Sequence, residues 1–125
     1  MSIQLKALIV DDEQELRKSV GTILQTLISG VQFEIEEAQT GLEAIQKVEA
    51  HDFDLVLMDI EMPELDGIEA TAEIRKAEAG SLRHVPIVAM TAHAIKGERE
   101  RYLAAGMDGY LSKPVQITEL FETIE

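Results

Sequence analysis

Leu5-Lys6-Ala7-Leu8-Ile9-Val10-Asp11-Asp12 is a short apolar run that breaks off in two adjacent carboxylates. Leu5 to Val10 is too short for a helix and lacks the in-out alternation of a strand with one wet face. A strand covered on both faces reads this way. Two further runs share the character: Leu55 to Met58 ahead of Asp59, and Ile87 to Met90 ahead of Thr91. Together they predict central parallel strands, each ending in a polar side chain.

The segments between these runs carry a helical period. Leu16, Val20, Ile23, Leu24 and Leu27 form one stripe, and Leu42, Ile45 and Val48 form another, as crossover helices burying one face on a sheet would. Thr40 stands three residues before Glu43, and Asp66 three before Glu69, the spacing of a capping box at a helix start. Gly30 and Gly106 suit helix ends. Phe33 to Ala38, with Glu34 and Glu36 alternating against Phe33 and Ile35, and the short Gly109 to Ser112 predict edge strands. The helix carrying Glu98-Arg99-Glu100-Arg101 has a thin apolar stripe, mainly Ile95 and Leu103, with the charged run as its solvated face. A last helix places Ile117, Leu120, Phe121 and Ile124 on one side.

Strands alternating with helices through right-handed crossovers predict an α/β fold: one doubly wound, five-stranded parallel sheet in the order 2-1-3-4-5, with five helices. No repeat, low-complexity stretch or Pro/Gly/Ser linker divides the chain, so residues 1–125 are expected to form a single domain. Hydrophobic residues make up 46% and charged residues 28%, the balance of a globular protein. A formal charge of −13 opposes attraction to nucleic acid or anionic lipid. Cysteine is absent, which removes thiolate metal sites and cysteine nucleophiles. No apolar run reaches membrane-spanning length, and Met1 to Lys6 lacks the form of a secretory signal, so the expected location is the cytoplasm.

In open α/β sheets a ligand sits beyond the carboxyl ends of the strands, where the winding reverses, here between strands one and three. Asp11, Asp12, Asp59 and Thr91 all fall at such ends, and the last strand runs into Ser112-Lys113-Pro114. Carboxylates crowded at one pole raise one another's pKa unless a cation joins them. Oxygen-only ligands favour Mg²⁺, which takes one or two carboxylates and leaves room for a phosphate oxygen. Asp59 can act as nucleophile toward phosphorus, while Lys113 and the Thr91 hydroxyl can meet the phosphoryl oxygens. Singly, each residue has a plainer reading: Asp11 and Asp12 as a helix cap, Thr91 as a cap, Lys113-Pro114 as a turn, Tyr110 as an edge-strand aromatic. Their joint placement favours chemistry. His51, His84 and His93 show no metal-site spacing. A magnesium phosphohydrolase would need a further acid or base, and flavin binding a phosphate-cradling glycine loop; neither is evident. A module that is never phosphorylated has no need of all these groups.

Four segments, Leu8-Ile9-Val10-Asp11-Asp12-Glu13, Met58 to Gly67, Met90-Thr91-Ala92 and Tyr110-Leu111-Ser112-Lys113-Pro114, resemble in type and order the receiver domain of two-component response regulators. The resemblance covers essentially the whole chain and carries a flavodoxin-like fold. It implies Asp59 as phosphoacceptor; Asp11, Asp12, Asp59 and the backbone carbonyl of Glu61 as Mg²⁺ ligands; and Lys113, Thr91 and Ala92 on the phosphate. Thr91 and Tyr110 would be the switch pair acting on the face of helix four, strand five and helix five, with Glu61 and His93 tuning phosphate loss and a cis bond between Lys113 and Pro114. The implied donor is a sensor histidine kinase or a histidine phosphotransfer protein, and the recipient an output domain or protein. Phosphorylation-dependent dimers occur in the family, though no residue here demands one. The stretches Met90 to Ala94 and Gly106 to Leu111 resemble receivers of hybrid histidine kinases, whereas Asp12-Glu13-Gln14-Glu15 resembles freestanding regulators.

Overall fold

The computed structural model describes residues 3–27, 31–81, 83–92, 98–113 and 115. Strands β1 (Ile3–Val10), β2 (Val31–Ala38), β3 (Leu55–Asp59), β4 (Ile87–Thr91) and β5 (Gly109–Ser112) form one parallel sheet in the order β2-β1-β3-β4-β5. Helices α1 (Gln14–Leu27), α2 (Gly41–Ala50), α3 (Gly67–Glu78) and α4 (Glu98–Ala104) are the four among the described residues. The fifth helix expected around Ile117, Leu120, Phe121 and Ile124 lies outside them, as do Gly30, His93, Ile95 and Pro114.

Every residue of β3 and β4 is buried, as are the last four of β1, because both faces of the sheet are covered. Successive side chains alternate between two clusters. Leu8, Val10, Val56, Met58, Ile87 and Ala89 pack with residues of α2, α3 and α4, including Val48, Ile74 and Tyr102. Ala7, Ile9, Leu57, Val88, Met90 and Leu111 pack on the other side with Val20 and Leu24 of α1. The register pairs Val10 with Met58, Asp59 with Met90 and Thr91 with Ser112, which brings the carboxyl ends of the strands level.

Two helices depart in part from the faces read from hydrophobicity. In α2, Val48 is buried and Ile45 packs against the core as expected, but Leu42 is 59% exposed and Gly41 and Ala44 are buried in its place. Small side chains win because α2 runs close to α3: a Cβ on Gly41 would stand 2.5 Å from the Leu65 carbonyl oxygen and 3.3 Å from the Ala70 Cβ. In α4 the anchor is Tyr102, 3% exposed, whereas Leu103, about 100° further round the helix, is 46% exposed.

The caps follow local chemistry. Asp66 and Glu69 form the complete reciprocal box. At α2 the Thr40 side chain accepts from the Glu43 N–H, but the Glu43 carboxylate reaches past Thr40 to the N–H of Gln39. Gly106, at φ +104°, turns the chain out of α4 in a conformation that favours glycine. Arg75 of α3 then grips that turn, donating to the Gly106 carbonyl at 2.8 Å and to Asp108 at 2.9 Å.

Candidate functional site

Four strand ends supply the site. The Asp11 N–H extends the ladder to the Ala38 carbonyl at 3.0 Å, and its Oδ1 accepts from the Glu13 N–H at 2.8 Å, turning the carboxylate over the start of α1. Asp59 and Thr91 are the last residues of β3 and β4. Lys113 follows β5, with its N–H donating to the Thr91 carbonyl at 2.8 Å. From there the ammonium Nζ reaches Asp11 Oδ2 and Asp59 Oδ1, each at 3.0 Å. Asp59 Oδ1 also accepts from the Glu61 N–H at 3.2 Å.

Asp11 and Asp59 are 0% and 2% exposed. Burial lifts the Asp59 carboxyl from 3.8 to about 6; the nearby Asp11 charge adds to the rise, while Lys113 and the Glu61 N–H oppose it. Burial works against the Lys113 charge, but its hydrogen bonds to Asp11 and Asp59 outweigh that and hold its pKa above the ordinary value. One ammonium thus serves two carboxylates, and the pocket retains an excess of negative charge.

The carboxylate oxygens of Asp11, Asp12 and Glu13 lie within 4.8 Å of one another, with Asp12 and Glu13 exposed. This all-oxygen set suits a hard divalent cation such as Mg²⁺. Of the expected ligands Asp11, Asp12, Asp59 and the Glu61 carbonyl, Asp11 and Asp12 stand in this group, and Glu13, which the sequence reading does not name as a ligand, stands with them. Asp59 is engaged by Lys113 and by the amide of Glu61, whose own side chain is exposed.

Thr91 is 1% exposed and lines a cavity of about 390 Å³ with Ile60, Glu61, Met62 and Tyr102. Ala92 beside it is exposed. Tyr110 is 39% exposed with its ring 6.1 Å from that of Tyr102, so the aromatic bordering the cavity is Tyr102. A second residue missed from sequence is Arg17, which is 6% exposed and donates to the Asp11 carbonyl at 2.6 Å. An arginine amid polar helix residues carries no signal of burial.

The loop after β3 is closed by a missing side chain. Gly67 donates its N–H to the Ile60 carbonyl at 3.2 Å, and a Cβ there would stand 2.1 Å from the Asp59 carbonyl oxygen. Glu64, at φ +67°, makes the turn that permits this approach.

Comparisons with known proteins agree over this same span. The family model "Response regulator receiver domain" matches residues 7–125. The hybrid signal transduction histidine kinase G of Dictyostelium discoideum is 44% identical over 117 residues, covering 94% of this chain and 3% of the kinase. The polar-differentiation response regulator DivK of Brucella ovis is 36% identical over 120 residues, covering 96% of this chain and 94% of DivK. The chain therefore spans nearly the whole of DivK but a small part of the hybrid kinases. Among solved structures, the receiver domain of a sensor histidine kinase from Pseudomonas aeruginosa PAO1, with a magnesium ion coordinated in its active-site cleft, superposes with a TM-score of 0.81. It is 37% identical, and the match covers 97% of this chain and 94% of that one. A co-crystal structure of the Saccharomyces cerevisiae phosphotransfer protein Ypd1 with the receiver domain of Ssk1 gives a TM-score of 0.83 at 29% identity, covering 99% of this chain and 88% of that one.

Proposed function

As this chain belongs to the response regulator receiver family of two-component phosphorelay signalling, we propose that it is a phosphorylation-activated switch with Asp59 as its phosphoacceptor. The observation that carries the proposal is the Lys113 ammonium suspended at 3.0 Å from both Asp11 and Asp59. The donor in this reading is a sensor histidine kinase or a histidine phosphotransfer protein, and the setting is the cytoplasm.

The chemistry follows from the groups present. Asp59 Oδ1 is occupied by Lys113 and by the Glu61 N–H, so Oδ2 attacks the phosphorus. A bond forms from that oxygen to phosphorus as the phosphorus–nitrogen bond to the donor histidine breaks, and the imidazole departs with the electron pair. A magnesium ion held by Asp11 and Asp12, with Asp59 and the Glu61 carbonyl, would neutralise charge on the phosphoryl oxygens. Lys113 shifts from its carboxylate partners to one of those oxygens, and the Thr91 hydroxyl and Ala92 N–H donate to another. As Thr91 moves, the cavity it lines changes shape, and the α4-β5 face with Tyr110 responds. Glu61 and His93 govern access of water to the acyl phosphate, which sets the lifetime of the signal. The domain catalyses its own phosphorylation and dephosphorylation and turns over no external substrate.

The test is incubation with acetyl phosphate and Mg²⁺, followed by intact-mass measurement. One phosphoryl group is expected on the parent, removable with hydroxylamine, and none on Asp59→Asn. Equal labelling of that variant would overturn the assignment.

A further inference from the structure

Arg17 sits on the sheet-facing side of α1 with 6% of its surface exposed. A guanidinium stays charged at any physiological pH, and burying one is costly unless it is paired and its donors are matched. Its Nε donates to Glu37 Oε1 at 2.7 Å, and one terminal nitrogen donates to the backbone carbonyl of Asp11 at 2.6 Å. Glu37 lies near the end of β2, and the Lys47 ammonium holds its carbonyl at 2.7 Å. The neighbouring Ala38 carbonyl accepts from the Asp11 N–H at 3.0 Å. The Asp11 backbone is therefore gripped from both sides, by β2 through its N–H and by Arg17 through its carbonyl.

That carbonyl belongs to the rigid peptide plane shared with Asp12. Its orientation fixes the N–Cα bond of Asp12, the axis about which that residue turns. Asp11 has its own side-chain restraints in Glu13 and Lys113. Asp12 is exposed, and the described restraint closest to it is the hold on the peptide it shares with Asp11.

We infer that Arg17, anchored by Glu37, is a positioning residue that aims the Asp12 carboxylate beside Asp11 for cation binding; this rests on the magnesium-dependent reading above. The opposite role would change the sign of the effect. A bare cation close to the carboxylates repels Mg²⁺, and its removal would tighten binding. Glu37 at 2.7 Å offsets the charge of Arg17, so geometry dominates. Partners that orient metal ligands from behind are generally worth roughly 10- to 100-fold in affinity.

The experiment is a Mg²⁺ titration at pH 7, followed by calorimetry and by the amide resonances of Asp11, Asp12 and Glu13. Arg17→Ala is expected to weaken Mg²⁺ binding by about tenfold. Glu37→Gln should shift it the same way by less, and Arg17→Lys should recover part of the loss. Arg75→Ala removes another largely buried guanidinium, one that grips the Gly106 turn, and should lower stability while leaving Mg²⁺ affinity unchanged. Should Arg17→Ala not fold, Arg17→Lys decides alone, because it keeps the charge and loses the forked geometry, and it should bind Mg²⁺ more weakly than the parent. Unchanged or tighter binding in the folded variants overturns the inference, as would an equal loss in Arg75→Ala. Absence of Mg²⁺ binding by the parent overturns the function proposed above, a separate failure.

Discussion

Asp59 and Asp11 compete for one ammonium, and the consequences can be worked out from protonation. Between pH 3.8 and about 6 the folded chain holds a proton on Asp59 that the unfolded chain has already released. Stability in metal-free buffer therefore falls as pH rises through that window, and the full cost of the ionised carboxylate is present at pH 7. Each pH unit between the two values is worth about 1.4 kcal/mol, so the cost is on the order of 2–3 kcal/mol for this nearly inaccessible group. Asp59→Asn should consequently be more stable than the parent by about that amount at pH 7, with the advantage shrinking toward zero near pH 4. Urea midpoints in the presence of EDTA measure it; a variant no more stable than the parent at pH 7 would refute the electrostatic account. Asp11, Asp12, Asp59 and Lys113 are legible in the sequence because each interrupts or follows an apolar run at a strand end. Arg17 is not, since its burial depends on the Asp11 carbonyl and on Glu37, twenty residues away in the chain. Nor can Tyr102 be told from Leu103 when helix phase is judged from a thin stripe of apolar residues.

At the scale of elements, the loop from β3 into α3 is held by close backbone contact between the strand and the helix it joins. The atom nearest to a Cβ on Gly67 is the Asp59 carbonyl oxygen at 2.1 Å, with the Asp59 carbonyl carbon at 2.9 Å and the Ile60 Cα at 3.0 Å. All three belong to the backbone, so no side chain can swing away to make room. Gly67→Ala is expected to cost roughly 2–4 kcal/mol, a large effect for one methyl group. It should also shift the amide resonances of Asp59 and Ile60. A stability loss below about 0.5 kcal/mol in urea would contradict the close approach. The order of strands and helices is legible because β1, β3 and β4 are covered on both faces and so read as unbroken apolar runs. The contact between α2 and α3 is not: it rests on the smallness of Gly41 and Ala44, whereas hydrophobicity points to Leu42, which faces solvent.

The molecule as a whole carries 24 acidic against 11 basic residues. Its formal charge of −13 makes the folded state repel itself, and added salt shortens the reach of that repulsion to about 8 Å at physiological ionic strength. Raising sodium chloride from about 10 to about 150 mM without magnesium should therefore raise the melting temperature. A fall would mean that the favourable ion pairs, such as Lys6 with Glu36 and Arg75 with Asp108, outweigh the net repulsion. The same wide view bears on synthesis. Asp11 and the lysine that balances it are 102 positions apart, with Asp59 between them. A nascent chain still waiting for Lys113 has its carboxylates but not the ammonium they share, and β5 cannot yet place it. The ion pair that ties these two strand ends together can therefore close only once the chain has grown 102 residues past Asp11, however early the carboxylates emerge.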